Sequence, residues 1–350
     1  MSSMGAATAV MADGLRKVYC VGVRKPGLWG SVRQLVAGET RDVIAVDGVS
    51  FDISQGEFVG YIGPNGAGKS TTVKMLTGIL HPTSGHVEVN GLSPAHARQQ
   101  VAQQIGVVFG QRTQLWWDLP TIDSFEILAA MYDVAPADYR RFMSEFTDML
   151  GLGEFLDTPV RRLSLGQRMR ADIAAALIHA PRVLFLDEPT IGLDVMAKAQ
   201  VRGFLTRVNR DRGVTILLTT HDMRDIEELC ERVMVINHGK LMFDGNLESL
   251  IASAGLPTTM RLRLSSIAPR LAAGQVLGKT PGDAPECAKE EALCVITAVD
   301  YSARAVDLAF DRRKTSAPQV LWAARELGEV RDVSLIEAGM EETVKWLLAQ

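Results

Sequence analysis

A chain of 350 residues with a formal net charge of -4 has the length for one large domain and a smaller one, and its charge gives no sign of a nucleic-acid binder. No run reaches the roughly 20 apolar residues of a membrane-spanning helix, and the N-terminus lacks the basic segment and apolar core of a signal peptide, which predicts a cytosolic chain. Cys20, Cys230, Cys287 and Cys294 have no metal-ligand spacing and suit a reducing compartment as ordinary thiols.

Beyond a leader ending near Thr8, the residues Val10, Leu15, Val18 and Tyr19 predict a strand that finishes on an aromatic ring. On spacing alone Tyr19 reads as a core or surface tyrosine; its ring is also of the kind that stacks on adenine. From Arg24 to Val36, basic and bulky apolar residues alternate without strand periodicity. Two readings stand for that stretch: a loop and short amphipathic helix facing a partner or lipid headgroups, or a solvated surface insertion. Val43 to Val46 and Val49 to Ile53 resume strand patterning before the turn Gln55-Gly56-Glu57.

The stretch Gly63-Pro64-Asn65-Gly66-Ala67-Gly68-Lys69-Ser70-Thr71 fits G-x-x-x-x-G-K-[ST] at every fixed position. Its context is the one the motif requires, a short apolar strand from Phe58 to Ile62 before it and a predicted helix from Thr72 to Leu80 after it. The glycines let backbone N–H groups turn inward around a phosphate, and the positive end of the helix dipole adds attraction. Lys69 is placed to reach the β- and γ-phosphates, and Ser70 to offer a hydroxyl oxygen to Mg²⁺.

His81 to Gly85 reads as a turn, His86 to Val89 as a strand, Ser93 to Gln104 as a surface helix and Ile105 to Phe109 as a buried strand. Two tryptophans, Trp116 and Trp117, follow that strand; a helical pattern then runs from Ile122 to Leu150. Leu163-Ser164-Leu165-Gly166-Gln167 opens a further helix to about His179, whose arginines at 161, 162, 168 and 170 read as a solvated face with one or two phosphate-facing members. Val183 to Glu188 is an apolar strand ending in two carboxylates, and strand C-termini are where open α/β sheets hold ligands. Thr190 to Asp194 turns into another helix, and the buried strand from Val214 to Leu218 leads to His221. In the tail, Val295 to Val299, Ala305 to Phe310 and Val330 to Ile336 read as strands, with helices from Pro318 to Leu327 and from Met340 to Leu348.

In this order the motifs make residues 8 to 245 strongly resemble the ATP-binding subunit of an ABC transporter. Gly63 to Thr71 matches the Walker A loop, Gln111 the Q-loop, Leu163 to Gln167 the signature, Val183 to Glu188 the Walker B strand, Ile191 to Asp194 the D-loop and His221 the switch histidine. The signature departs from the family pattern at Leu165, where glycine is usual, but keeps Ser164 and Gly166; Gly110 precedes Gln111, which leaves Gln114 as a second Q-loop candidate. The resemblance implies an α/β fold: a P-loop ABC ATPase domain over 1–245, with RecA-like core, antiparallel β subdomain and helical subdomain at about 115–180, plus a small C-terminal α+β domain over 246–350.

The resemblance also implies ATP and Mg²⁺ as cofactors and a head-to-tail homodimer in which each nucleotide lies between Walker A of one copy and the signature of the other. It assigns Glu188 as general base or water-positioning residue, with His221 and Lys69 as its catalytic companions. Ser70, Asp187 and Gln111 fall in the Mg²⁺ sphere, and Tyr19 on the adenine. The residues from Gly63 to Thr71, together with Gln111, Ser164, Gly166, Gln167 and Asp194, complete the nucleotide contacts. Separate membrane subunits are the expected partners, with the chain on the cytoplasmic side of the membrane. The insertion near 24–42, the Trp pair and the tail resemble the drug- and antibiotic-export branch, with an importer or polysaccharide-exporter ATPase as the alternative. A soluble family member acting on ribosomes or DNA is disfavoured, because the chain holds one compact motif set and no heptad array.

Overall fold

The computed structural model describes residues 7–22, 40–110, 112–267, 271–279, 292–337 and 339–349; the stretch from Arg24 to Val36, Gln111 and Cys287 lie outside the described residues. The chain falls into two compact units, Met1–Leu247 and Glu248–Gln350.

In the first unit, β1 (Thr8–Gly22), β2 (Thr40–Ser54) and β4 (Ser84–Val89) form an antiparallel sheet in the order β2-β1-β4. The two runs predicted on either side of Asp47-Gly48 join in one continuous strand, which stays paired with β1 through register shifts between Ala12 and Val18. One face of this sheet is apolar, and Val10, Leu15, Val49, Phe51 and Ile53 bury in a core shared with Tyr61, Val73 and Leu76. The second sheet has the order β5 (Ile105–Phe109), β6 (Val183–Asp187), β7 (Thr215–Thr219), β3 (Phe58–Ile62), β8 (Arg232–Asn237), β9 (Lys240–Asn246). Its first five strands are parallel and β9 is antiparallel. Parallel strands covered on both faces need continuous apolar runs, and Val183 to Leu186 and Ile216 to Leu218 are all buried.

The helices differ from their predicted bounds for local reasons. The first, α1 (Lys69–Leu76), begins inside the phosphate loop and stops where Gly78 takes φ 71°. The predicted helix from Ser93 shrinks to α2 (Arg98–Ala102), because turn bonds from the His96 and Ala97 N–H groups to Ser93 O occupy its start. The pattern from Ile122 to Leu150 is two helices, α3 (Thr121–Met131) and α4 (Pro136–Leu150), split where Asp133 adopts φ 52° and Pro136 opens a new first turn. Phe142 and Phe146 of α4 pack edge-on against Phe125 and Phe204. Then come α5 (Leu165–Leu177), α6 (Val195–Arg212) and α7 (Met223–Leu229).

The second unit is built on a five-stranded antiparallel sheet in the order β11 (Val276–Lys279), β12 (Ala292–Asp300), β13 (Ala305–Phe310), β10 (Thr258–Leu264), β14 (Val330–Ile336). Its helices are α8 (Leu247–Ala254), which starts at the division between the units, α9 (Ala317–Ala323) and α10 (Met340–Leu348). Leu262, Leu264, Ile296, Leu308, Phe310 and Val320 form its core. Among the described residues no helix is long and apolar enough to cross a membrane, and Cys20, Cys230 and Cys294 are free thiols.

Candidate active site

Register across the parallel strands brings the motifs together. Phe109 pairs with Asp187, Asp187 with Thr219, and Thr219 with Tyr61. The turns that follow these four strands therefore leave the same edge of the sheet side by side, the carboxyl edge where such sheets bind ligands. They enclose a cavity of about 780 Å³ lined by Gly63, Asn65 and Ser70 of the phosphate loop, Gly110 and Arg112 after β5, Asp187 at the end of β6 and Glu188 just after it, and His221 after β7.

Gly68 takes φ 111°, and a side chain there would sit 2.5 Å from Ala45 O, so the loop closes only with glycine at that position. No acidic residue occupies the first turn of α1, which leaves the positive end of its dipole for an anion. Lys69 folds back into the loop and donates to Gly63 O at 2.7 Å and Pro64 O at 3.1 Å. Burial lowers its pKa, while the carboxylates of Glu188 and Asp187 act in the opposite direction. The ammonium is thus held against the loop that receives the phosphates, within the electrostatic field of both acids.

The two carboxylates are set by their neighbour in the sheet. Thr219 Oγ1 donates to Asp187 Oδ1 at 2.6 Å, and the Glu188 N–H donates to Thr219 O at 2.9 Å. Glu188 takes φ 55°, a left-handed conformation that costs on the order of 1 kcal/mol or more for a residue with a side chain. That turn directs the glutamate into the cavity, where Oε1 lies 3.5 Å from His221 Nδ1. Gly110 is explained by the same turn: its N–H donates to Asp187 O at 2.8 Å, and a Cβ on it would stand 2.4 Å from Glu188 O.

The signature and D-loop residues occupy helix starts. Ser164 caps α5, its Oγ accepting the Gln167 N–H at 3.2 Å while Gln167 Oε1 accepts the Ser164 N–H at 2.9 Å. The hydroxyl still has a proton to donate. Leu165, the departure from the family pattern, faces Gly192 of the D-loop, where a Cβ would come within 2.7 Å of its Cδ2. Asp194 caps α6 by accepting the Ala197 N–H at 2.8 Å. Among the described residues, the cavity wall includes none of Tyr19, Ser164, Gly166, Gln167 and Asp194. Tyr19 is partly exposed on β1 with Lys17 Nζ 5.4 Å from its ring centre.

Four residues of this region escape the sequence reading. Thr219 positions both carboxylates, and Arg112 lines the cavity. Asp172, buried in α5, accepts from Thr113 Oγ1 at 2.7 Å and from the Gln114 N–H at 3.1 Å, and Gln114 Nε2 donates to its backbone carbonyl at 3.0 Å. Burial pushes this carboxyl up to about 6, against the opposing pull of its two donors and Arg168. Asp225, in α7, is fully buried and pairs with Arg202. A polar residue in a helix gives no sign in sequence of which side chains it will meet.

A phosphate loop at a strand end, two acids and a histidine on adjacent strand ends, and an antiparallel side sheet define a nucleotide-hydrolysing cassette. The family model described as ABC transporter matches residues 46–191. Among curated proteins, the ABC transporter ATP-binding protein NatA of Bacillus subtilis is 34% identical over 60% of this chain and 85% of its own length. The daunorubicin/doxorubicin resistance ATP-binding protein DrrA of Streptomyces peucetius is 35% identical over 68% of this chain and 71% of its own. The methionine import ATP-binding protein MetN of Geobacillus kaustophilus is 32% identical over 68% and 70%. Among solved structures, the dimeric ATP-binding cassette MJ0796 bound to ADP and Pi superposes with a TM-score of 0.57 at 26% identity, covering 68% of this chain and 98% of that one. CbiO1 of Clostridium perfringens, part of the transporter complex cbiONQ, gives 0.56 at 26%, covering 70% and 91%. The chain belongs to the ABC transporter family as an ATP-binding and ATP-hydrolysing subunit.

Proposed function

We propose that this chain powers an exporter, acting as a homodimer against separate membrane subunits on the cytoplasmic face and expelling a drug-like or amphipathic substrate. The observation that carries the dimer is the divided site: the cavity has the phosphate loop, the acids and His221, whereas Ser164 and Gly166 stand outside its wall. A second copy arranged head to tail supplies the missing signature, and the dimeric MJ0796 cassette supports that arrangement. Export is supported by the similarity to DrrA, which its name assigns to drug resistance. Import is the second reading, favoured by the similarity to MetN.

Within the site, Glu188 positions the attacking water and accepts its proton, and His221 contacts the γ-phosphate. Lys69 turns from its loop carbonyls to the β- and γ-phosphates, Tyr19 stacks on the adenine, and Asp194 steadies the start of α6 at the dimer boundary. Ser70 and Asp187 line one cavity and offer hydroxyl and carboxylate oxygens, donors that suit Mg²⁺, which relies on substrate phosphates and water for its remaining ligands. Gln111 is the third proposed member of that set, since the Gln114 side chain is engaged with α5. When bound, the cation neutralises charge on the phosphates.

The test is directional transport. The chain, co-purified with its membrane subunits and reconstituted in vesicles with the cassettes outward, is expected to draw a fluorescent amphipathic drug into the lumen when ATP is added outside. ATP-driven loss of preloaded drug from the lumen would mean import.

A further inference from the structure

Asp225 holds two separate parts of the active site through one oxygen. Its Oδ2 accepts Thr190 Oγ1 at 2.5 Å and Thr220 Oγ1 at 3.3 Å, and Oδ1 accepts Arg202 Nη1 at 3.0 Å. Thr190 lies two residues beyond Glu188, and Thr220 lies immediately before His221. The Asp222 N–H donates in turn to Thr220 Oγ1 at 3.0 Å, so the peptide that follows the histidine is tied to the same hydroxyl. Asp222 itself is gripped from α6 by Lys198 Nζ at 2.6 Å. Asp225, Thr190 and Thr220 are all buried, and the paired Arg202 satisfies a carboxylate that would otherwise be costly in that position.

Such a joint is unnecessary for folding β6 or β7, which pair directly along their length. What it fixes is the distance between the turn after Glu188 and the turn holding His221. We propose that Asp225 is a positioning residue for hydrolysis, locking the Glu188–Thr190 turn and the Thr220–His221 turn together through the two threonine hydroxyls. The inference rests on the roles given above to Glu188 and His221. Small displacements of catalytic groups cost rate far more than they cost ground-state binding.

The test compares Thr190→Val, Thr220→Val, the serine variants at both positions, Asp225→Asn and Glu188→Gln in the purified full chain, measuring kcat and KM for ATP together with thermal midpoints. Valine preserves shape and leaves the Arg202–Asp225 pair intact, so the test holds whether or not Asp225→Asn folds. Each valine variant is expected to lower kcat about tenfold or more with KM within about twofold of the parent, and each serine variant to restore it. If Glu188→Gln is inactive while both valine variants keep the parental kcat, the inference is overturned. Loss that serine does not restore, or that raises KM in step, makes the contact merely structural and also overturns it. An active Glu188→Gln variant removes the reading of the site on which it rests.

Discussion

His221 Nδ1 stands 3.5 Å from Glu188 Oε1, although the two residues belong to different turns and different helices follow them. Their meeting follows from sheet register, since Asp187 and Thr219 are partners on adjacent parallel strands and each functional residue comes just after. The left-handed backbone of Glu188 then turns its side chain toward the histidine.

Glu188→Gln keeps the shape of the side chain and one accepting oxygen but removes the group able to take a proton from water. Hydrolysis is expected to fall by roughly 10²- to 10⁴-fold, the range over which general bases contribute, with ATP binding retained. The variant is expected to collect as an ATP-bound dimer. Size-exclusion chromatography with ATP reads this directly, and a monomer with full turnover would sink the assignment.

The motif-bearing segments were legible because each is a short stretch whose local chemistry demands its residues. A phosphate loop needs glycine where Gly68 takes φ 111°, and a buried parallel strand needs the unbroken run from Val183 to Leu186. What stayed hidden depends on contacts between distant segments. Leu165 remains a departure from the family pattern, but its packing against Gly192 cannot be read from the motif, and the reason for glycine at 110 emerges only where the carbonyl of Glu188 closes over it. The strands β8 and β9 were missed despite the apolar run Val233 to Ile236 and the turn at His238-Gly239, where both residues have positive φ. β10 was likewise readable in principle, as Met260, Leu262 and Leu264 alternate with arginines.

Asp172 makes stability depend on pH in a direction opposite to that of a salt-bridged acid. Its carboxyl is raised from the usual carboxylate range to about 6, so between roughly pH 4 and 6 the folded chain binds the extra proton. This contribution is full below the unfolded value and disappears as pH rises through about 6. Asn at this position still accepts from Thr113 and Gln114 but has no proton to lose. Relative to Asp172→Asn, the parent is therefore expected to lose on the order of 2 kcal/mol between pH 4 and pH 7. Paired denaturation curves at those two values measure it, and a difference independent of pH would contradict the burial argument.

Sharing of the sites between copies is tested by mixing. Ser164→Arg blocks the signature face and also removes the cap of α5, worth about 1 kcal/mol, and Lys69→Ala disables the phosphate loop. In a mixed dimer one site carries both changes and the other carries neither. Combining the two inactive proteins is expected to restore ATPase activity up to about half per mixed dimer, because subunits exchange into one intact site. Activity that stays at the level of the separate variants after subunit exchange would count against independent shared sites.

Trp117 is the side chain we expect to meet the membrane subunits. It is 50% exposed, Trp116 is 36% exposed, and neither is therefore enclosed by the helices from Thr121 to Leu150 as a core residue would be. The Trp117 ring lies under the Arg168 guanidinium at 5.6 Å, and the Arg161 N–H donates to its carbonyl at 2.9 Å. A large ring held in place at the surface is the usual form of an interface anchor, since little side-chain freedom remains to be lost on docking. The segment continues through Thr113 and Gln114, bonded to Asp172, back to the cavity wall at Arg112. A partner seated on Trp117 would in this way feel the state of the nucleotide site through a few residues of chain. Trp117→Ala is expected to leave the fold and the basal ATPase of the isolated chain close to the parent, with a stability loss well short of the roughly 3–5 kcal/mol that truncating a buried aromatic costs. Co-purification with the membrane subunits, and ATP-driven transport with it, is expected to fall at least tenfold, the scale of a hot-spot aromatic worth about 1.4 kcal/mol or more. A variant that assembles and transports like the parent would remove Trp117 from the docking surface, and one that unfolds several degrees early with its ATPase lost would assign the ring to the core.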